Sequence, residues 1–219
     1  MLFLKNMIRI SPSILSANLN RINEEIADVA PYVSSIHLDI MDGKFVPSKS
    51  YGLEIVSKIK TDLPLDCHLM VIDPVKHAKI YSKYVDRIFF HAEIYENNLS
   101  ELKKTLKEIK STGVKVGLTL NPDKPISLIK PYLDQVEGIL IMSVYAGKGG
   151  QVFIPEVLDK VRKLRKIKYK KDILIDGGIN IKTIKQSYDA GANVFVIGSA
   201  IFGKKDRKKA ILKLKKVIS

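Results

Sequence analysis

The amino-acid sequence predicts a closed (β/α)8 barrel in the α/β class, and three observations support that fold class. Short β-rich apolar segments alternate with longer amphipathic segments along the whole chain. Strands and helices that alternate in this way form a parallel sheet, because each return to the same edge of the sheet needs a crossover helix. Eight such repeats fit a chain of 219 residues, on the short side for a barrel. No linker or change in composition divides the chain, so we expect a single domain over residues 1–219.

The predicted strands are short apolar runs rich in β-branched residues. In chain order they cover residues 8–15, 35–40, 65–70, 87–91, 115–120, 138–142, 173–176 and 194–198. An open doubly wound sheet is the competing architecture. It is disfavoured because residues 11–17, at the end of the first strand, read SPSILSA and lack the Gly-x-Gly-x-x-Gly fingerprint of a dinucleotide-binding fold.

The predicted helices lie between these strands and show apolar residues at helical spacing. They cover residues 19–30, 53–60, 75–83, 99–111, 126–132, 155–166, 181–189 and 206–217. Pro74, Pro125 and Pro155 stand near predicted helix starts, where the missing N–H of proline costs nothing. Gly113 and Gly191 follow predicted helix ends, as expected for residues that stop a helix.

The composition is that of an ordinary globular protein, with 46% apolar and 27% charged residues. No run of apolar residues is long enough for a membrane-spanning helix. The opening residues 1–10 lack the pattern of a secretory signal peptide, so we expect a cytoplasmic protein without a membrane partner. The single cysteine, Cys67, excludes a disulfide framework within the chain, and strand alternation turns its side chain away from that of His68.

The chain is strongly basic, with 37 Lys and Arg against 23 Asp and Glu and a formal net charge of +14. Such a balance suits an anionic partner, which could be a nucleic acid, a membrane surface or a small phosphorylated molecule. The densest lysine runs, 160–171 and 204–216, contain apolar residues at helical spacing and are interpreted as solvated outer faces of helices. A basic nucleic-acid-binding module stays open as the hypothesis from a different class, although we expect no nucleic-acid partner.

Histidine and aspartate residues stand near the carboxyl ends of three predicted strands. His37 and Asp39 are two residues apart on the second strand and therefore point to one face. His68 lies on the third strand, and Asp176 ends the seventh. Each of these residues alone is ordinary, but buried ionisable groups are costly unless they are paired or bind a metal. Two imidazoles and two carboxylates at one mouth of a barrel indicate a site for a divalent transition metal or for acid–base chemistry.

Glycines form a second pattern at the same predicted mouth. Residues 143–151 read SVYAGKGGQ after the sixth strand, and residues 176–179 and 198–200 form turns after the seventh and eighth strands. The last two turns of a barrel lie side by side, where backbone N–H groups can bind a phosphate. On a basic chain, this pattern favours a substrate that carries a phosphate group.

Taken in order, these motifs resemble those of the ribulose-phosphate 3-epimerase family. The matching segments extend over nearly the whole chain and are PSILSA (12–17), HLDIMDG (37–43), FVP (45–47), CHLMV (67–71), LNP (120–122), MSV (142–144), GGQ (149–151), FIP (153–155), DGGIN (176–180) and GSAIF (198–202). The resemblance implies an isomerase of carbohydrate metabolism, in the pentose phosphate pathway, that interconverts D-ribulose 5-phosphate and D-xylulose 5-phosphate by inversion at C3. It also implies a homo-oligomer.

The resemblance further implies one divalent metal, zinc or iron with manganese or cobalt as other possibilities, held by His37, Asp39, His68 and Asp176. Asp39 and Asp176 would be the two acid–base carboxylates on opposite faces of the substrate. A proton beside a ketone is only weakly acidic, so the enediolate must be stabilised as it forms. The implied substrate contacts are Ser13, Met41, His68, Met70, Met142 and Asp176 around the sugar, Gly177, Gly178, Gly198 and Ser199 at the phosphate, and Gly147, Lys148, Gly149 and Gly150 in a loop that closes over it.

The loop after the sixth strand departs from the family pattern. Family members usually read NPGFGGQ where residues 145–151 read YAGKGGQ, so a proline is lost and Lys148 replaces an apolar residue. This change leaves the substrate length open, because a related branch of the family acts on the ketohexose phosphate D-allulose 6-phosphate. A barrel decarboxylase or synthase is a further alternative, but the Asp-x-Lys-x-x-Asp run expected of those enzymes follows neither His37 nor His68.

Overall fold

The computed structural model of the protein describes residues 8–218 and contains a single eight-stranded parallel sheet within that range. The strands are β1 (Arg9–Pro12), β2 (Ile36–Met41), β3 (Leu65–Met70), β4 (Arg87–His91), β5 (Lys115–Leu120), β6 (Gly138–Met142), β7 (Asp172–Asp176) and β8 (Val194–Ile197). Successive strands pair from β2 to β8, and β8 pairs with β1. The backbone N–H of Ser34 donates to Ile10 O at 3.1 Å at the remaining seam between β1 and β2. The predicted (β/α)8 barrel is confirmed in this nearly closed form.

Helices connect the strands as predicted, although several bounds differ. The α-helices are α1 (Ile22–Val29), α2 (Leu53–Val56), α3 (Pro74–Tyr81), α4 (Leu99–Lys110), α5 (Leu158–Lys166), α6 (Ile184–Ala190), α7 (Ser199–Phe202) and α8 (Arg207–Ile218). Short 3-10 turns cover Ile14–Ser16, Leu19–Arg21, Ala30–Tyr32, Ala92–Tyr95, Ile126–Leu128, Lys130–Gln135 and Pro155–Val157. The four-residue helix α7, directly after β8, was not among the predicted elements.

The predicted helix over 126–132 is wrong, because this connection consists of two 3-10 turns. Pro131 lies in the first turn of the second segment and has no N–H to offer to the preceding carbonyls. The predicted helix over 53–60 is also too long, since regular α-helix ends at Val56. In both places the apolar spacing is present but the backbone does not continue a helix.

Strand alternation separates the buried side chains into two layers. Phe89, Leu140, Leu174, Val194 and Val196 pack together inside the barrel. The alternate residues pack outward against the helices, and among them are Leu38 and Cys67. The expected orientation of Cys67, away from His68, is therefore confirmed, and burial raises the pKa of its thiol.

A buried charge cluster fills the amino-terminal end of the barrel. Arg87 donates to both carboxylate oxygens of Asp66, at 2.9 and 3.0 Å, and to Asp172 Oδ2 at 2.7 Å. Asp172 also pairs with Arg9 and accepts a hydrogen bond from Asn193 Nδ2 at 2.9 Å. Because each carboxylate has charged and polar partners, this cluster ties β1, β3, β4 and β7 together without leaving an uncompensated charge.

The basic run 160–171 is more than the solvated face that the sequence indicates. Lys160 Nζ donates to the carbonyl oxygens of Asn121 and Pro122 at 2.7 and 2.8 Å. Lys171 Nζ donates to Val136 O at 2.6 Å. These two lysines therefore hold connecting loops to the barrel, and that part of the interpretation is wrong.

Within residues 8–218, no helix combines the length and the apolar character that crossing a membrane requires. Most of the opening run 1–10, on which the expectation of a chain without a signal peptide depends, lies outside the described residues.

Gly117 of β5 is expected to be essential for the packing inside the barrel. A Cβ atom added there would lie 2.2 Å from Phe89 Cε1 and 2.9 Å from the carbonyl oxygen of Gly138. We expect Gly117→Ala to lower the free energy of unfolding by about 2–3 kcal/mol, because Phe89 is fully buried and cannot move aside. Urea unfolding measures this difference. Gly149→Ala is the control, since nothing lies within 4 Å of an added Cβ there, and equal stability of the two variants would contradict this packing argument.

Candidate metal centre and active-site cavity

The four His and Asp residues singled out in the sequence meet at the carboxyl-terminal mouth of the barrel. β2 supplies His37 and Asp39, β3 supplies His68 and β7 supplies Asp176, and one donor atom from each lies within 4.8 Å of the others. His68 Nδ1 is 3.4 Å from Asp39 Oδ1 and 3.9 Å from Asp176 Oδ2. His37 Nε2 is 3.6 Å from Asp39 Oδ1 and 3.9 Å from Asp176 Oδ2. The structure thus brings together four side chains that are far apart in the chain.

The donor set fits a divalent cation. Both imidazoles are fully buried, and His37 Nδ1, His37 Nε2 and His68 Nδ1 have no hydrogen-bond partner among the described residues. Buried polar atoms normally have partners, so His37 Nε2 and His68 Nδ1, which lie beside both carboxylates, are suited to bind a cation. In a tetrahedral zinc site with bonds of about 2.0 Å, neighbouring donor atoms lie about 3.3 Å apart. The four nitrogen–oxygen separations of 3.4 to 3.9 Å are somewhat longer than that value, and nitrogen and oxygen donors suit zinc or iron.

The two carboxylates differ in their affinity for a proton. Burial opposes ionisation of Asp39, but electrostatic attraction to the imidazole of His37 outweighs it, so the pKa of Asp39 lies well below its usual range. Burial, together with the negative charge of Asp39, raises the pKa of Asp176. The cluster without a metal therefore pairs an ionised carboxylate with a carboxyl group that keeps its proton more readily. Such a pair suits proton transfer.

Asp39 is held in place by polar side chains where β2 lacks a strand neighbour. β1 ends at Pro12, so the second half of β2 has no partner on that side. Instead the N–H of Asp39 donates to Tyr51 Oη at 2.8 Å, and Ser50 Oγ donates to Asp39 O at 2.7 Å. Ser13 Oγ donates to Asp39 Oδ2 at 2.5 Å. The predicted substrate contact Ser13 therefore also orients a carboxylate of the cluster.

Two further polar residues, His91 and Glu93, lie behind His68. His68 Nε2 is 2.9 Å from His91 Nε2, and His91 Nδ1 is 2.8 Å from Glu93 Oε1. Burial raises the pKa of Glu93, but the hydrogen bond with His91 and the backbone hydrogen bonds outweigh it, so this pKa lies below the usual range. Neither residue is among the site residues that the sequence predicts. The signal was present, because His91 ends β4 just as Asp176 ends β7.

A cavity of about 850 Å³ opens above the cluster. Asp39 and Asp176 border it, whereas His37 and His68 are not among the lining residues, so their rings lie behind the carboxylates. All the other residues expected to contact substrate line this cavity: Ser13, Met41, Met70, Met142, Gly147, Lys148, Gly149, Gly150, Gly177, Gly178, Gly198 and Ser199. Of the expected contacts, only His68 has no surface on the cavity.

The turns around the cavity are fixed by hydrogen bonds. Ser143 Oγ donates to the carbonyl oxygens of Asp176 and Gly177 at 2.8 and 2.6 Å, which holds the end of β7 against the end of β6. Gly177 has a φ of 114°, and an added Cβ there would lie 2.4 Å from Val144 Cγ2. In the loop after β6, Gln151 Nε2 donates to the carbonyl oxygens of Tyr145 and Lys148. These two hydrogen bonds within the loop fix its conformation where it borders the cavity.

The outer part of the cavity is basic. Lys204, Lys205, Lys209 and Lys213, from α8 and the segment before it, line it together with a single carboxylate from that segment, Asp206. All four lysines are exposed. A cleft lined mostly by one sign of charge raises the local concentration of ligands of the opposite sign. This mouth therefore suits an anionic ligand.

Comparison with known proteins connects these features to one family. Residues 9–202 match the model of the ribulose-phosphate 3 epimerase family. The ribulose-phosphate 3-epimerase of Bacillus subtilis is 42% identical over 218 residues, which cover 95% of this chain and 99% of that protein. A protein of Arabidopsis thaliana, ribulose-5-phosphate-3-epimerase, chloroplastic, is 41% identical over 97% of this chain and 78% of its own length.

Solved structures with much lower identity share the fold. A 3-hexulose-6-phosphate synthase superposes with a TM-score of 0.73 at 19% identity, covering 97% of this chain and all of that one. KGPDC from Streptococcus mutans has a TM-score of 0.72, at 17% identity and 97% coverage of both chains. At these identities the likeness supports the barrel architecture alone.

Asp176→Asn is expected to affect the metal-free and metal-loaded protein in opposite ways. The pKa of Asp176 is raised in the folded state, so ionisation of this group destabilises the fold as pH rises from the unfolded value of about 4 through the folded value. At pH 8 in the presence of a chelator, the free energy of unfolding of Asp176→Asn should therefore exceed that of the wild type by on the order of 2 kcal/mol.

Added zinc should stabilise the wild type strongly and Asp176→Asn weakly, because the variant has lost a ligand. Urea unfolding with and without zinc measures both effects. The control is Asp62→Asn, which changes an exposed carboxylate and should leave both responses as in the wild type. Equal zinc stabilisation in the two Asp variants would exclude Asp176 as a ligand.

Proposed function

The chain belongs to the ribulose-phosphate 3-epimerase family, and from that premise we propose a metal-dependent enzyme that inverts C3 of D-ribulose 5-phosphate with Asp39 and Asp176 as its two acid–base groups. Membership makes the chain an epimerase. The single observation that supports the proposed mechanism is the pair of carboxylates, Asp39 and Asp176, that border one cavity beside two buried imidazoles. Such a pair can accept a proton on one side of a carbon atom and supply one on the other.

The two carboxylates come from strands β2 and β7, which are not neighbours in the sheet. A substrate carbon between them would present one face to each. The ionised Asp39 removes the C3 proton in one direction, and Asp176 delivers a proton to the opposite face. In the reverse direction the roles exchange. Met41, Met70 and Met142 border the cavity beside these groups and are nearly fully buried, which keeps water away from the reacting carbon.

His37, Asp39, His68 and Asp176 would hold the metal. A divalent ion at this position supplies electrostatic stabilisation of the negative charge that develops on the enediolate oxygens. Ser13 positions Asp39 through a short hydrogen bond, and the backbone of β2 is fixed by Ser50 and Tyr51. Asp39 is therefore held in its orientation by side chains of this chain.

The phosphate group is proposed to bind at the turns after β7 and β8. Gly177, Gly178, Gly198 and Ser199 border the cavity on the side that continues to the four lysines of the basic mouth. A phosphate bound to backbone N–H groups there would lie next to Lys209 and its neighbours, which supply positive charge. Lys148, in the loop after β6, borders the same cavity and adds a further cation.

The pentose phosphate is proposed as the substrate because the relatives with 41% and 42% identity are ribulose-phosphate 3-epimerases. The ketohexose phosphate D-allulose 6-phosphate stays the alternative on the same site, since the altered loop at residues 145–151 lies where a longer substrate would be accommodated. The single domain over 1–219, the homo-oligomer and the choice of zinc or iron stay predictions. Size determination and elemental analysis of the purified protein test the last two.

Removal of either carboxylate should abolish turnover. We expect Asp39→Asn and Asp176→Asn each to lower kcat on D-ribulose 5-phosphate by at least about 100-fold, because each removes one of the two proton-transfer groups and one metal ligand. A coupled assay that detects D-xylulose 5-phosphate measures this, with exposed Asp62→Asn as the matched control.

Chelation should abolish wild-type activity, and zinc or iron should restore it. The same assay with D-allulose 6-phosphate separates the two substrates. Turnover that survives thorough chelation would overturn the metal dependence, and faster turnover of the hexose phosphate would change the substrate and leave the mechanism intact.

The basic mouth is expected to accelerate capture of the anionic substrate. We expect Lys209→Gln/Lys213→Gln to lower kcat/KM by about 3- to 10-fold at low ionic strength, with kcat unchanged and the deficit reduced as salt is added. The matched control is Lys103→Gln/Lys107→Gln on α4, which removes two exposed lysines at the same spacing away from the cavity. If the two double variants behave alike at every salt concentration, the lysines of the mouth have no part in capture.

A further inference from the structure

The strongest unexplained feature near the site is the row of buried polar groups formed by His68, His91 and Glu93. The two rings are fully buried, their centroids are 5.0 Å apart, and Phe45 covers His91 with its ring centroid at 4.7 Å. His91 and Glu93 are not among the residues that line the cavity. Their direct contact with the candidate metal cluster is through His68.

The hydrogen bonds in this row have a direction, and Glu93 sets it. An ionised carboxylate can only accept hydrogen bonds. Glu93 Oε1 accepts from the N–H of Asn121 at 3.2 Å and is 2.8 Å from His91 Nδ1. The proton of a neutral His91 must then be on Nδ1, which leaves its Nε2 as an acceptor. The contact of 2.9 Å between the two Nε2 atoms holds one proton, so that proton belongs to His68.

The consequence appears on the other side of the His68 ring. A neutral imidazole carries only one ring proton, so a proton on one nitrogen of His68 leaves the other bare. With that proton on Nε2, Nδ1 presents a lone pair toward Asp39 and Asp176. Asp39 Oδ1, at 3.4 Å, would by itself favour the opposite tautomer, with a proton on Nδ1. The row of groups behind the ring opposes that preference.

We propose that His91 and Glu93 are positioning residues that fix the Nε2-protonated tautomer of His68, so that Nδ1 is ready to bind a cation before any cation is present. This inference rests on the proposed metal site for its purpose, but the tautomer itself is a property of the metal-free protein. Second-sphere partners of this kind orient a ligating histidine and raise its basicity. The competing arrangement, in which a charged His91 donates to His68, would place an N–H where a ligand atom is needed.

The direct test is nitrogen-15 NMR of the metal-free protein, in which two-bond correlations between ring protons and nitrogens identify the tautomer of each histidine. The chain has four histidines, so assignment by single substitutions is practical. We expect His68 to show a protonated Nε2 and a bare Nδ1 in the wild type. A protonated Nδ1 on His68 would overturn the proposal, whatever the metal content of the active enzyme.

Substitutions of Glu93 test the cause. In Glu93→Leu the acceptor is lost, so His91 can donate from Nε2 and His68 should change to the Nδ1-protonated form. Glu93→Gln is the matched control, because its carbonyl oxygen can accept the same two hydrogen bonds, and it should retain the wild-type tautomer. An unchanged His68 in a folded Glu93→Leu protein would overturn the proposal. If that variant does not fold, His91→Phe replaces it and is expected to cause the same change.

Zinc affinity, measured by competition with a chromophoric chelator, connects the tautomer to the metal. Affinity should fall by about 10- to 100-fold in Glu93→Leu and stay close to the wild-type value in Glu93→Gln. Equal affinity in wild type and Glu93→Leu would overturn the positioning role alone. Absence of zinc and iron binding in the wild type would instead overturn the proposed function, and the NMR experiment would still decide the tautomer.

Discussion

The candidate site depends on closure of the sheet between β8, β1 and β2. The sheet order places four strands between β7 and β2. In a flat sheet, with strands about 4.8 Å apart, these two strands would be separated by about 24 Å. In the barrel, His37 Nε2 of β2 lies 3.9 Å from Asp176 Oδ2 of β7. The pairing of β1 with β8 and the hydrogen bond from Ser34 to Ile10 at the last seam therefore create the cluster as well as the fold.

The two ends of the barrel contain buried charges with opposite consequences. At the amino-terminal end, Arg87 bridges Asp66 and Asp172, and the charges compensate one another. At the carboxyl-terminal end, two imidazoles and two carboxylates meet, and three ring nitrogens there lack partners within the described chain. Because buried charges are costly, the first cluster is stable through its own ion pairs, whereas a bound cation would stabilise the second. The same strands, β3 and β7, contribute to both ends, so the barrel itself separates a structural role from a chemical one.

Several site features could not be read from the sequence for identifiable physical reasons. Ser50 and Tyr51 hold Asp39 only because β1 ends early and leaves the backbone of β2 without a neighbour, which is a property of the assembled sheet. Glu93 follows β4 in a 3-10 turn, and nothing in local patterning shows that its carboxylate reaches His91. In the sequence, Lys160 does not differ from the exposed lysines of an amphipathic helix. Only the structure shows that its Nζ donates to the carbonyl oxygen of Asn121. In each case the partner is distant in the chain.

The sequence by itself determined the class of fold and the four residues of the cluster. Strand and helix periodicity reflect which side chains must be buried, and polar residues at strand ends stand out against apolar strand interiors. Tertiary structure decided the rest. It set the distances between His37, Asp39, His68 and Asp176, the different proton affinities of the two carboxylates, and the direction of the hydrogen bonds behind His68. Those properties depend on desolvation and on contacts between strands that only the closed barrel brings together, and for that reason no local pattern in the chain encodes them.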